Sequence, residues 1–252
     1  MTMLKEDRYR LILDVISQKD VVKVSELAER LNVAEMTIRR DLNALEEQGL
    51  IERVHGGAKK KGTIPYVELS HVQKQTINVE EKKHIAQKCA ELICDHDIVF
   101  IGPGTTNELI YDYVKAENVD VITNSITVFN RFKHDSRYDV ILIGGRFRER
   151  TGTFIGYFAN KLLSEIKVNK AFIGTNGIID TRVTTANEEE GNGQRIILDN
   201  AAEKYILADH SKFGVEAFCT FYDVKNVTAI ITDTKISPQI EEYYKKWTKI
   251  IK

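Results

Sequence analysis

The spacing of apolar residues changes along the chain, and the change divides it in two. Leu11, Ile12, Val15 and Ile16 recur at helical spacing, which predicts an amphipathic helix over 8–18. A second helix is predicted over 24–31, with Leu27, Ala28 and Leu31 on one face and Ser25 as a candidate cap. A tight turn at Asn32-Val33 leads to a third helix over 35–49, with Gly49 as its C-terminal cap. Ile38, Leu42 and Leu45 fall at i, i+4 and i+7 and form its buried stripe. That stripe turns Thr37, Arg40 and, more obliquely, Arg39 outward near the helix start. Residues 50–58 read as two short strands around a glycine turn, followed by the run Lys59-Lys60-Lys61.

Two short helices with a tight turn, paired arginines at the start of the second and a β-hairpin behind them predict a winged helix-turn-helix. The second helix of such a unit enters the major groove, N-terminal residues first. Arginine forks onto guanine or a phosphate with two hydrogen bonds. Operator DNA is therefore the expected partner. Thr37, Arg39 and Arg40 are its expected readers, with Arg53, His55, Lys59 and Lys60 on the wing. Asp41, beside the arginines, is expected to pair internally.

From residue 79 onward the pattern alternates between helical and strand spacing. Helices are predicted over 82–94, 107–115, 127–132, 155–166 and 193–202. Strands are predicted over 97–101, 119–123, 140–143, 170–174, 204–208 and 227–232. Alternation of this kind implies an α/β domain with a largely parallel sheet covered on both faces. Gly62 and Pro65 punctuate the stretch between the two patterns. The expected organisation is a winged helix over 1–60, a linker over 61–76 and an effector domain over 77–252.

Charge adds less than the motif suggests. The chain's formal net charge is −1, and residues 1–62 hold twelve Lys/Arg against eleven Asp/Glu. The DNA reading therefore rests on where the cations sit, not on their number. No apolar run reaches the ~18 residues of a membrane helix, and the charged N-terminus has no signal-peptide core. A cytoplasmic protein is expected. Cys89, Cys94 and Cys219 are expected to be small buried hydrophobes in a reducing compartment. No metal and no cofactor is expected. His71, His84, His96 and His134 lack ligand spacing and read as structural or surface residues.

Polar and glycine residues recur just beyond the predicted strands, where open α/β sheets bind ligands. The groups are Gly102-Pro103-Gly104-Thr105-Thr106, Thr123-Asn124-Ser125, Gly144-Gly145, Gly174-Thr175-Asn176-Gly177 and Asp209-His210-Ser211-Lys212. Backbone amides and hydroxyls at Gly104, Thr105 and Thr106 suit a phosphate. Lys212 would neutralise it or polarise a sugar oxygen. Thr123, Asn124, Gly145, Asn176 and Asp209 complete the expected lining. The run Glu188-Glu189-Glu190 reads as a solvated loop, with Glu190 reaching sugar hydroxyls if that loop folds over the pocket.

The string from Met36 to Leu50, followed by Arg53-Val54-His55-Gly56-Gly57-Ala58, resembles the signature of the DeoR family of sugar-metabolism repressors. Ala34 departs from it, since the family usually places a capping Ser or Thr there. The second half resembles the same family's effector domain, which is related to ribose-5-phosphate isomerase and similar sugar-phosphate enzymes. The resemblance implies a repressor released by a sugar phosphate, with Asp209 and Lys212 matching the family's Asp-x-x-Lys. Gly102-Pro103, where most members carry Asp-Ala or Asp-Ser, implies tagatose 6-phosphate as inducer and control of lactose or galactose genes. Glu190-Gly191-Asn192-Gly193-Gln194 departs from the usual Glu-Ala, and its glycines bear on the pocket lid. A homo-oligomer, dimer or tetramer, is expected because helix-turn-helix proteins usually read two half-sites. Two alternatives stand beside this reading. One is a sugar-phosphate isomerase with Asp209 as base and Lys212 on the oxyanion. The other is a regulator, repressor or activator, answering to another sugar phosphate such as fructose 1-phosphate or an amino-sugar phosphate.

Overall fold

Ile12, Ile16, Leu27, Ile38, Leu42, Leu45 and Ile51 are all essentially inaccessible to solvent, so the stripes read from the first sixty residues meet in one core. The computed structural model describes residues 5–17, 19, 21–47, 50–60 and 68–252. Gln18, Gly49, Lys61, Gly62 and Pro65 lie outside the described residues. The chain divides into two units, Met1–Tyr66 and Val67–Lys252.

The first unit runs α1 (Lys5–Ser17), β1 (Val21–Lys23), α2 (Val24–Leu31), α3 (Glu35–Glu47), β2 (Ile51–Val54) and β3 (Gly57–Lys60). Its sheet has the order β1-β3-β2 and is antiparallel throughout. Helix α2 begins at Val24, so Lys23 holds the cap position and Ser25 is not the cap. Asn32 ends α2 in the left-handed region (φ 51°), and its amide bonds to Ala28 and Glu29 carbonyls. Strand β1 was not expected: it is three residues long and buries only Val22. Gly57 is required by the central strand, because a Cβ there would lie 2.2 Å from the Val22 carbonyl oxygen.

The second unit opens with α4 (His71–Gln75) and α5 (Val79–Ala90), then β4 (Ile98–Ile101), a 3-10 turn Asn107–Asp112, β5 (Val119–Thr123), α6 (Ile126–Phe132) and β6 (Tyr138–Leu142). A hairpin β7 (Arg146–Arg148) and β8 (Thr153–Ile155) precedes α7 (Tyr157–Glu165) and β9 (Val168–Gly174). Then come β10 (Gly177–Ile179), β11 (Arg182–Thr185), α8 (Glu188–Asp199), β12 (Ala201–Leu207), a 3-10 turn His210–Lys212 and β13 (Cys219–Asp223). After the 3-10 turn Val224–Asn226, the unit closes with β14 (Ala229–Ile231), α9 (Pro238–Lys245) and β15 (Lys249–Ile251).

Seven strands form a parallel sheet in the order β15-β14-β12-β9-β4-β5-β6. Successive strand residues face opposite sides, and the two sides have separate cores. Val99, Ile101, Phe172 and Tyr205 pack with Ile85 of α5 and Phe132 of α6. Phe100, Ile173 and Ile206 pack with Leu163 of α7, Ile197 of α8 and Tyr244 of α9. Both sheet faces are thus covered, as the near-continuous apolar strands require.

Several expectations are corrected. The helix expected over 107–115 is a short 3-10 turn. The helix expected over 193–202 is α8, which starts at Glu188, so Glu188-Glu189-Glu190 is its first turn rather than a solvated loop. Acidic residues suit that position because the helix N-terminus carries partial positive charge. Residues 68–76, expected as linker, belong to the second unit and are tied to it by His71 N–H to the Arg150 carbonyl (2.9 Å). Cys89 is buried, but Cys94 is exposed and Cys219 only partly covered. The hairpin β7-β8, the antiparallel sheet β10-β11-β13 and strand β15 were not expected. Most of their strands have three or four residues, too few for a period to show.

Candidate functional site

On the first unit, α3 presents Arg39 and Arg40 to solvent. Arg39 lies 3.3 Å from Glu35 one turn earlier. Arg40 makes no hydrogen bond or ion pair among the described residues, and Thr37 is half-buried beside it. Asp41 is buried and pairs with Arg8, as expected of an internal partner. Helix α3 starts without a side-chain cap; the Ala34 carbonyl accepts from Thr37 and Ile38 amides.

The wing is fastened to this helix by Arg53. Its guanidinium donates to the Gly57 carbonyl (3.1 Å), to Asn43 Oδ1 (2.7 Å) and to the Arg39 carbonyl (3.3 Å). Its amide donates to Glu46 (3.0 Å). Arg53 therefore sets the wing against the backbone of Arg39. His55 is exposed at the hairpin tip, next to Gly56 in the left-handed region (φ 77°). Lys59 is paired with Glu52 across the hairpin at 3.0 Å. Lys60 ends β3.

On the second unit the expected groups do lie at the C-terminal ends of β4, β5, β9 and β12, but they play different parts. After β4, Gly104 takes a positive φ of 146°, and the amides of Gly104, Thr105 and Thr106 have no acceptor among the described residues. Asn107 is fully buried; its amide donates to the Phe172 carbonyl of β9 (2.9 Å), and its Oδ1 has no partner. A Cβ at Gly104 or Gly174 would lie 3.1 or 3.2 Å from that oxygen. Both glycines thus leave room for Asn107, which locks the loop to the sheet.

Thr123, Asn124, Gly145 and Asn176 belong to the frame. Thr123 is inaccessible, and its hydroxyl donates to the Ile101 carbonyl (2.6 Å) and accepts from Ser125 N–H. Asn124 donates to the Phe154 carbonyl of β8 (2.9 Å). A Cβ at Gly145 would meet the Ile155 carbonyl at 2.7 Å. Asn176 Oδ1 accepts from the Thr185 hydroxyl and the Ala186 amide.

Glu190, Asp209 and Lys212 converge with residues that periodicity did not single out. Asp209 is buried and accepts from Asn78 (3.0 Å), from the Ser211 amide and from the Ser211 hydroxyl. Glu190 is buried in the first turn of α8, bonded to Thr151 and to Arg148 (3.1 Å). Arg148 also forks onto Glu68. His71 pairs with Glu108 at 3.0 Å. Lys82 is buried and donates to the Lys74 carbonyl.

Burial and neighbouring charges of both signs shape the electrostatics of this cluster. Burial pushes the Lys74 ammonium below its ordinary pKa; Lys212 and Arg148 push the same way, against Glu68 and Glu190. Burial also lowers Lys82, with Lys212 and Lys74 adding to it against Asp209 and Glu108. Burial raises Glu190, opposed by the Thr151 hydrogen bond and by Arg148. The Lys74 and Lys212 ammonium groups have no partner among the described residues. Half-buried cations with no carboxylate in direct contact are costly unless an anion joins them.

Lys74, Lys82, Arg148 and Glu68 are thus the residues missed from sequence. Lys82 sits in Glu80-Glu81-Lys82-Lys83, which reads as an ordinary solvated helix face. The glycines of α8 are not a lid. A Cβ at Gly191 would lie 2.9 Å from Thr185 Cγ2 and 3.1 Å from Phe221 Cβ, and one at Gly193 3.3 Å from Asn160 and Leu163, so the first lets α8 pack closely on β11 and β13 and the second on α7. Among the described residues no cluster is arranged to hold a metal ion, and no helix is long and apolar enough to cross a membrane.

Residues 8–62 match the DeoR-like helix-turn-helix domain, and residues 77–234 match the DeoR C terminal sensor domain. The lactose phosphotransferase system repressor of Streptococcus mutans is 39% identical over 251 residues, 99% of this chain and 100% of that protein. The repressor of the same name from Staphylococcus aureus is 37% identical, over 95% of this chain and 96% of that protein. A ribose 5-phosphate isomerase structure from Methanocaldococcus jannaschii is 17% identical over 54% of this chain and 55% of that one, with a TM-score of 0.37. A score that low leaves the fold assignment to the parallel sheet and the family match. With both of its units matched, the chain belongs to the DeoR family of transcriptional regulators.

Proposed function

We propose that the chain is a DNA-binding repressor of a sugar-utilisation operon, released from its operator by a sugar phosphate. One observation carries the ligand class. Three lysines, two of them without partners, gather at the C-terminal edge of a parallel sheet, where Lys74 and Lys82 are drawn down by burial. A phosphate monoester, with its ~1.5 to 2 negative charges, would make the direct ion pair that Lys74 and Lys212 lack among the described residues. The unsatisfied amides of Gly104, Thr105 and Thr106 supply donors of the kind phosphates take from backbone nests. Glu190 and Asp209 then serve as acceptors for sugar hydroxyls. The inducer is tagatose 6-phosphate and the genes serve lactose or galactose use. This is supported by the Gly102-Pro103 variant and by the two lactose repressors that share over a third of the sequence.

Operator contacts come from Thr37, Arg39 and Arg40 in the major groove and from His55, Lys59 and Lys60 on the wing, with Arg53 holding wing to helix. A dimer or larger assembly acts in the cytoplasm, since one nearly neutral unit has little affinity of its own. A regulator rather than an isomerase is favoured by Asp209. Its Oδ1 already accepts from Asn78 and from the amide and hydroxyl of Ser211, which gives the carboxylate a structural role, and the two relatives that match nearly the whole chain are named repressors. A thermal-shift panel of sugar phosphates tests the reading. At 100 times its dissociation constant, tagatose 6-phosphate is expected to stabilise the protein by about 2.7 kcal/mol and to release operator in a gel shift. Interconversion of aldose and ketose phosphates, lost in Asp209→Ala, would establish the enzyme instead.

A further inference from the structure

Arg148 is shared by two carboxylates that stand at opposite ends of the regulatory problem. One is Glu190, buried in the anion site on α8. The other is Glu68, the first described residue after the linker. Arg148 NH1 lies 2.9 Å from Glu68 and 3.1 Å from Glu190, and its second nitrogen also bonds Glu68. Arg150 reaches from the same hairpin to the Glu68 carbonyl at 2.7 Å. The root of the linker is therefore held by the hairpin β7-β8, through a guanidinium that also belongs to the effector site.

We propose that Glu68 occupies the cationic site as an internal stand-in for the effector's anionic group, and that its displacement carries the signal to the linker. This rests on the sugar-phosphate reading above. Two carboxylates already share Arg148; Arg150 lies 3.9 Å from Glu68, and Lys74 acts electrostatically with both carboxylates. A phosphate entering beside Lys74 and Arg148 adds like charge at short range, so one carboxylate must leave. Glu190 is fixed within α8, whose first turn is capped by Asn187. Glu68 lies on a segment without regular structure, and its described side-chain bonds are to Arg148 and Arg150. Glu68 is the one that moves. Its release loosens the chain before His71, whose amide stays bonded to the Arg150 carbonyl, and with it the path back to the DNA-binding unit. Arg148 then turns to the ligand.

The test uses the full chain with Glu68→Gln, which keeps the shape and removes the charge. Operator affinity is measured by fluorescence anisotropy without and with saturating tagatose 6-phosphate, and sugar-phosphate affinity by calorimetry. The variant is expected to bind tagatose 6-phosphate about tenfold tighter, since a buried charged hydrogen bond no longer opposes it. It is also expected to bind operator about tenfold more weakly without ligand. By linkage the ligand-driven change in operator affinity shrinks by the same factor. If Glu68→Gln melts early, Arg150→Gln removes the backbone tether instead and is expected to move both affinities in the same directions by less. A folded variant with wild-type values throughout overturns the proposal. So does tighter ligand binding with unchanged operator affinity, which makes Glu68 a local counter-ion only. If no sugar phosphate binds the wild type, the function proposed above fails instead, while the ligand-free operator measurement still decides whether Glu68 tethers the linker.

Discussion

The two units use positive charge in opposite ways. In the first, Arg39, Arg40 and Lys59 stand in solvent, and two of them lean on a neighbouring carboxylate. Water and salt screen such groups, so leaving Arg40 without a partner among the described residues costs little. In the second, Lys74 and Lys82 are largely withdrawn from water and their pKa values fall with burial. A surface of the first kind suits a long polyanion and acts by number and placement, with strong salt dependence. A cluster of the second kind suits one small anion and resists salt, because low-dielectric surroundings keep its field.

If the two devices are separate, either can be destroyed alone. The largest effect is expected from Gly57→Val, which drives a Cβ into the Val22 carbonyl oxygen 2.2 Å away. Overpacking of this kind costs about 3 kcal/mol or more, comparable to the whole stability of a sixty-residue unit. Operator binding is expected to vanish while calorimetry still finds wild-type sugar-phosphate affinity. Loss of both would show that the units do not fold independently. Next in size is Lys212→Ala, which removes a cation that has no partner among the described residues. Sugar-phosphate affinity is expected to fall ten- to a hundredfold, the range of a charged hydrogen bond, with operator bound but no longer released. Normal release in a gel shift removes Lys212 from the site.

What was legible in the sequence follows the same division. Helix α2 over 24–31 and strand β5 over 119–123 have the bounds that periodicity predicted, because both signals are local. The outward arginines of α3 could be read from Ile38, Leu42 and Leu45 for the same reason. Strand β1 could not, since three residues with one buried valine carry no period. The cluster around Glu190 and Asp209 was half legible. Asp209 and Lys212 announced themselves by following a strand, whereas Arg148 sits in a hairpin and Lys74 in a stretch that reads as linker. Their meeting is a product of topology. Thr123 was legible as a strand-end polar residue, but its hydroxyl is spent on Ile101, and only the register of β4 against β5 decides that.

Arg40→Ala tests the exposed side of the comparison. A direct base contact is worth about 1 to 3 kcal/mol per half-site, and Arg40 is the α3 arginine with no partner among the described residues to replace it. Operator affinity is expected to drop at every salt concentration and discrimination at one base pair to relax, with sugar-phosphate binding unchanged. Retained affinity for the operator would move recognition away from this helix.

The smallest effect is expected from Lys59→Ala, and its smallness is informative. Lys59 already faces Glu52 at 3.0 Å, so a DNA phosphate must draw it from an existing pair. Removing it should lower the slope of log affinity against log salt by about 1 if the lysine neutralises a phosphate, with little change in specificity. An unchanged slope would mean that Glu52 keeps its lysine in the complex, and that the wing acts through Arg53 and the position it imposes on α3. The measurement thus separates two roles that exposure alone does not distinguish: a cation that meets the polyanion and one that shapes the surface presenting it.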